Sequence, residues 1–203
     1  PQKLNQVFNK FNTGPWLVFL AALLWASDAP FRVGLSAELP TTFIVLGEHL
    51  ISLLVLAYFI PQTIKKIKAL KTFKEWVSLL VIGVGGSAVA LLLFTEAFSY
   101  MNPSVVILLQ KIQPLIAIGL AYIFLKETLS KTAWFWVVVA LSAAYLLNFP
   151  GFIPQLYIGE EFNPNVIGAL LALGAAGLWA AATVAGKSLL KTFDFKTLTT
   201  ARF

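Results

Sequence analysis

The sequence predicts an all-α, polytopic membrane protein with six transmembrane helices, and three observations carry that prediction. Of 203 residues, 59% are hydrophobic and 12% are charged, which is more apolar surface than a soluble domain of this size can bury. The apolar residues form six runs, each near the ~20 residues that a bilayer core requires. The cations gather in alternate connections between those runs, the pattern that sets orientation in a chain threaded back and forth through a membrane. Composition also excludes several chemistries. There is no cysteine, so disulfides, thiolate catalysis and Cys-based metal sites are ruled out. A single histidine, His49, leaves little for a His-based metal centre or a catalytic triad. No metal and no cofactor are expected. The excess of 15 Lys and Arg over nine acids sits in short loops, so it is read as a topology signal, with no nucleic-acid partner.

In chain order, residues 1–14 form an amphipathic, cytoplasmic lead with Leu4, Val7, Phe8 and Phe11 at helical spacing beside Lys3 and Lys10. The first span, about 15–36, holds Trp25, Asp28, Pro30 and Arg32. Its polar residues and the spans after it argue against a cleaved signal peptide, and Pro30 predicts a kink. The second span, about 40–61, carries Glu48 and His49. The third, about 75–100, carries Gly83, Gly85, Gly86 and Ser87, then Glu96. That glycine run formally matches a dinucleotide fingerprint but follows no strand, so close helix packing is the expected role. Asn102-Pro103 makes the next link a tight hairpin.

The fourth span, about 103–125, is interrupted by Gln110-Lys111-Ile112-Gln113-Pro114. A charged side chain at the bilayer centre costs ~2.5–3.5 kcal/mol on insertion scales, so one face of this helix is expected to meet protein or water. Pro114 has no N–H for the carbonyl of Gln110, which predicts a kink and a free acceptor. Two readings stay open: a proline kink with Lys111 in an internal ion pair, or the wall of a polar cavity that a solute touches. The fifth and sixth spans cover about 132–149 and 165–187, separated by an external loop over 151–164 with Pro154, Glu160, Glu161 and Pro164. Trp16, Trp76, Trp134 and Trp136 near span ends suit an interfacial belt, whereas Trp25 and Trp179 lie inside spans.

Lys65, Lys66, Lys68, Lys71 and Lys74 crowd the second link, Lys126 and Lys131 flank the fourth, and Lys187, Lys191 and Lys196 follow the sixth span. With Lys3 and Lys10 they share one side when the N-terminus is cytoplasmic; Glu38, Glu160 and Glu161 occupy the other. In that orientation Asp28, Glu48 and Lys111 sit about eight residues, roughly 12 Å, inside the outer end of their helices. Glu96 is shallower. Intramembrane charges of this kind face a bundle interior or a wet cavity and are functional candidates. Structural alternatives stand beside each: Asp28 with Arg32 as an i,i+4 pair, Glu48 or Glu96 with Lys111 as an ion pair, and His49 as a satisfied buried group. Three acids against two cations would leave one carboxylate without a partner, and a desolvated carboxylate is a candidate proton carrier. Asp28, Glu48, His49 and Glu96 are therefore the proton-coupling candidates.

Ala21-Ala22-Leu23-Leu24-Trp25-Ala26 in the first span reappears as Ala175-Ala176-Gly177-Leu178-Trp179-Ala180 in the sixth, and the same offset carries Glu48 onto Arg202. Copies five spans apart cross the membrane in opposite directions, the arrangement of five-helix inverted repeats in secondary transporters. Leu108 to Leu115, Leu120 to Ser130 through Lys126-Glu127-Thr128, Ala97 to Ser104, and Leu24-Trp25-Ala26 together resemble EamA-type proteins of the drug/metabolite transporter superfamily. That resemblance implies a ten-helix (5+5) carrier with both termini cytoplasmic. Residues 15–150 would be the first repeat and 165–203 the start of the second, the chain being a fragment. Lys126, where the family commonly has glycine, and the charged set Asp28, Glu48, Glu96 and Lys111 depart from the pattern.

The expected function is a secondary active transporter in the cell (inner or plasma) membrane, not an enzyme. It would export or exchange small polar metabolites or drugs by alternating access around a cavity lined by spans one, three, four and six. Trp25, Asp28, Gln110, Lys111 and Gln113 are the candidate substrate-binding residues, and Pro30 and Pro114 the candidate helix kinks. The alternative is a non-transporting membrane subunit whose buried charges bind a partner helix. A reporter fused after Lys71 should behave as cytoplasmic and one inserted within 152–162 as external; the reverse pattern in a protease-protection assay would refute the orientation.

Overall fold

The computed structural model describes residues 13–126, 130–148, 157–158 and 161–203. The lead predicted over 1–14 lies outside the described residues apart from its last two, as do Glu127, Glu160 and most of the 151–164 loop. Among the described residues five helices are long and apolar enough to cross a membrane: Gly14–Glu38, Thr41–Lys68, Phe73–Ala97, Pro103–Leu125 and Pro164–Leu189. The chain is thus an all-α polytopic membrane protein. The predicted fifth span is also a helix, Lys131–Asn148, of 18 residues.

The first span is α1 (Thr13–Glu38), continuous through Pro30. The second comprises α2 (Thr41–Leu56), a 3-10 turn at Ala57–Phe59 and α3 (Ile60–Lys68). It outruns the predicted boundary because Pro61 falls in the first turn of α3, where a missing N–H costs nothing. Lys65, Lys66 and Lys68 then line its last turn and meet the negative end of the helix dipole. These lysines belong to the helix and not to the link in which the sequence placed them.

The third span joins α4 (Phe73–Leu80), a π-helical stretch at Val81–Val89 and α5 (Ala90–Ala97). A capping box starts it: the Glu75 amide donates to Thr72 Oγ1 at 3.3 Å, and the Thr72 amide donates to the Glu75 carboxylate at 3.0 Å. The widening coincides with the glycine run, and the Ala90 amide reaches back five residues to the Gly85 carbonyl. In the fourth span α6 (Pro103–Gln110) stops at Gln110 and α7 (Gln113–Leu125) restarts with Pro114 in its first turn. Between them the Lys111 and Ile112 amides bond the Leu108 and Leu109 carbonyls at 3.0 and 3.1 Å, so the kink predicted at Pro114 is a two-residue break. Lys126 ends α7 in the left-handed region at φ 55°. That conformation costs an L-residue roughly 1–2 kcal/mol, the physical reason for glycine at such a position.

After α8 (Lys131–Asn148), two short strands, β1 (Tyr157–Ile158) and β2 (Glu161–Phe162), pair antiparallel. They are a small addition where the sequence indicated only a loop. The sixth predicted span is α9 (Pro164–Leu189), followed by α10 (Phe195–Thr200). Asp194 caps α10, accepting the Thr197 amide at 2.8 Å, and is ion-paired to Lys66. The Lys66 ammonium, helped by the Thr197 amide, holds the Asp194 carboxyl well below the usual carboxylate range.

The packing centre is α9. Ala172, Ala175, Ala176 and Ala180 are fully buried, and Trp179 nearly so. Phe94 and Ala97 of α5 and Val106 and Leu109 of α6 close over that face. A Cβ built on Gly86 would lie 2.2 Å from the Ala182 Cβ, so the third span and α9 touch through their backbones. Gly86→Leu should therefore lower the thermal unfolding midpoint of the detergent-purified protein by the equivalent of ~1–3 kcal/mol. Gly119→Leu, where an added Cβ meets nothing within 4 Å, should change it little. Equal effects would contradict the close approach.

Candidate functional site

The intramembrane polar groups sort into two assemblies. The first is organised by Arg32, which is only 4% exposed. Its Nε donates to Asp28 Oδ2 at 2.8 Å, its Nη1 to Thr95 Oγ1 at 2.6 Å, and its Nη2 to Glu48 Oε1. One guanidinium thus ties α1 to α2 and α5, using the fork geometry that lets arginine serve several acceptors at once. Two carboxylates around one buried cation satisfy charges that lipid would not tolerate. Nearby, Thr41 Oγ1 donates to Glu96 Oε2 at 2.6 Å. His49 is also satisfied. Its Nδ1 lies 2.8 Å from the Val45 carbonyl and its Nε2 3.0 Å from Ser87 Oγ. A carbonyl can only accept, so Nδ1 donates to Val45, and Nε2 shares a hydrogen bond with the Ser87 hydroxyl.

The second assembly is a cleft of about 710 Å³, within the size range of small-molecule sites. Trp25 of the first span, Ile82 of the third, the 110–114 break of the fourth and α9 from Trp179 to Lys187 form its walls. Leu198 and Arg202 also line it. These walls come from the four spans that the sequence assigned to a cavity. The two indoles meet edge to face at 5.9 Å, and Phe94 backs Trp179 at 5.2 Å. Gln110 is 7% exposed, and its Oε1 has no hydrogen-bond partner. The helix break carries Lys111 and Gln113 to the same wall.

Of the candidate substrate-binding residues, Trp25, Gln110, Lys111 and Gln113 share the cleft, whereas Asp28 belongs to the Arg32 assembly. The charges expected at one shared level therefore do not meet in one chamber. Lys111 has no carboxylate within ion-pair distance among the described residues, which removes the proposed Glu48–Lys111 or Glu96–Lys111 pair. The carboxylate expected to lack a partner is absorbed because Arg32 serves two acids and Thr41 serves Glu96. Sequence reasoning missed Thr41, Ser87 and Thr95, whose hydroxyls carry no signal of their own in an apolar run. Trp179 was within reach, since the internal repeat pairs it with Trp25.

Residues 12–149 match the model of the EamA-like transporter family. The chain is 33% identical, over 193 residues, to a protein of Fusobacterium nucleatum subsp. nucleatum (strain ATCC 23726 / VPI 4351) named riboflavin transporter ImpX. The match covers 94% of this chain and 64% of that relative, so the chain spans about two thirds of its length. No solved structure matches.

Arg32→Met strands two carboxylates in an apolar setting and should cost about 3–5 kcal/mol, read as a lowered unfolding midpoint. Combining it with Asp28→Asn and Glu48→Gln should restore most of the loss. A single variant as stable as wild type would deny Arg32 its structural place.

Proposed function

The chain belongs to the EamA-like transporter family, and on that footing we propose that it forms the first part of a secondary active transporter of small polar metabolites. In this reading residues 15–150 are a five-helix repeat, α8 crosses the membrane as its fifth span, and α9 opens an inverted second repeat of a ten-helix carrier. The N-terminus faces the cytoplasm, the protein sits in the cell membrane, and it exports or exchanges its solute by alternating access. The observation that supports the reading is the cleft. Four spans contribute to it, and it brings two tryptophans, two amides and a lysine together inside the bilayer, an apolar pocket with few convergent polar groups.

The solute class follows from the same walls. Trp25 and Trp179 offer faces and edges for a planar ring, and Gln110 and Gln113 offer amides for its polar edge. The relative named as a riboflavin transporter directs the first choice of probe to flavins. Proton coupling is assigned to the Arg32 assembly: protonating Glu48 removes the charge that holds α1 against α2 through Arg32. Protonating Asp28, on the same helix as Arg32, changes how that guanidinium is shared, so protonation and helix separation are linked. Glu96 and His49, each already bonded to a neighbouring helix, would move with it. The alternative, a docking subunit for a partner helix, gains no support from Arg32, which finds its partners within this chain.

Counterflow in proteoliposomes with the full-length protein tests the reading. Vesicles preloaded with riboflavin should accumulate labelled riboflavin above protein-free vesicles. Trp25→Ala and Gln113→Ala should each cut the initial rate by about tenfold, the equivalent of ~1.4 kcal/mol. Glu48→Gln should flatten the pH dependence of the rate. Rates indifferent to both cleft substitutions would separate transport from this cleft.

A further inference from the structure

We propose that the solute is an anion: a planar ring lying against the exposed Trp25 of the Trp25–Trp179 pair, with a carboxylate or phosphate group directed to Lys111 and Arg202 and an N–H or O–H donated to Gln110. The proposal rests on the carrier reading above and adds the charge of its cargo.

Among the described residues three cations, Lys111, Lys187 and Arg202, line the cleft, and no aspartate or glutamate does. The intramembrane acids are committed elsewhere, Asp28 and Glu48 to Arg32 and Glu96 to the Thr41 hydroxyl. Among the described residues neither Lys111 nor Arg202 has a carboxylate within ion-pair distance. Arg202 is held by a single long bond, Nη2 to the Gly86 carbonyl at 3.3 Å. Lys187, in the last turn of α9, is accounted for by the cationic bias of cytoplasmic helix ends. Lys111 is not. It sits at the break in the middle of the fourth span, far from either end, where an uncompensated charge is costly.

Cations of one sign in a cleft with apolar walls focus their field on whatever enters. An anion binding there makes charge-assisted hydrogen bonds to them, whereas a neutral or cationic solute does not. The orphaned Gln110 Oε1 is a second and independent sign. A buried acceptor without a partner selects a ligand that brings a donor. Its neighbours on the break, Lys111 and Gln113, line the same cleft, so one ligand can contact all three. The aromatic pair supplies shape, the break supplies the polar contacts, and the cations supply the sign of charge.

The test is equilibrium binding by calorimetry on the full-length, detergent-purified protein with two matched pairs: riboflavin against riboflavin 5′-phosphate, and indole-3-acetamide against indole-3-acetate. The charged member of each pair should bind at least tenfold more tightly and weaken as ionic strength rises. Lys111→Gln should shrink that preference to under threefold, with an unfolding midpoint equal to wild type showing that the variant is folded. Lys111→Arg should keep the preference, and Arg202→Gln should reduce it. Neutral members binding as tightly as charged ones, a preference untouched by both neutralising variants, or no saturable binding by either pair would each overturn the proposal. Counterflow separates the two claims. A protein that moves riboflavin without preferring anions refutes only the charge of the cargo. One that prefers anions but moves none of the four solutes refutes only the carrier reading.

Discussion

Where Gly86 faces Ala182 the backbones of the third span and α9 come close enough that one added methyl group would be 2.2 Å from its neighbour. Lipid tails are as apolar as leucine, so helices in a bilayer gain little from hiding hydrophobic surface against each other. They gain from close van der Waals contact, which small residues permit. The alanine face of α9 supplies that contact along the middle of the helix, from Ala172 to Ala182. The rest of the arrangement follows from it. Trp179 is held against Phe94 and Trp25, and α9 from Trp179 to Lys187 and the break in the fourth span line the same cleft.

Charge is segregated around this packing. One arginine collects the acids of the first two spans and a threonine of the third, while the cleft keeps only cations among its charged lining residues. An unpaired ion in a low-dielectric interior is expensive, so a fold either neutralises it internally or reserves it for a ligand. The Arg32 assembly takes the first course, whereas the cleft presents Lys111 and Arg202 on an exposed wall. Between them lies a mechanical relation, because the same α1 helix carries Trp25 to the cleft and Asp28 and Arg32 to the ion cluster. A change at either assembly is felt by a helix that also serves the other.

How much of this was legible in the residues depends on how local each cause is. Composition and the length of the apolar runs determined the membrane class, since the bilayer imposes its thickness on any chain that crosses it. Gln110-Lys111-Ile112-Gln113-Pro114 announced a polar interruption of a helix, and proline chemistry located it to within two residues. The repeated Ala-Ala-x-Leu-Trp-Ala pattern paired Trp25 with Trp179 before any contact was known. Only the tertiary structure decided which charges meet. Arg32 and Asp28 are four residues apart and their pairing was readable, but Glu48 and Thr95 reach the same guanidinium from other helices. Helix rotation sets which side chains face inward, and that rotation is fixed by glycine-to-alanine contacts between distant segments. For the same reason Lys111 was placed in the bilayer by sequence alone, whereas its separation from Glu48 and Glu96, and its place in the cleft wall, came from packing.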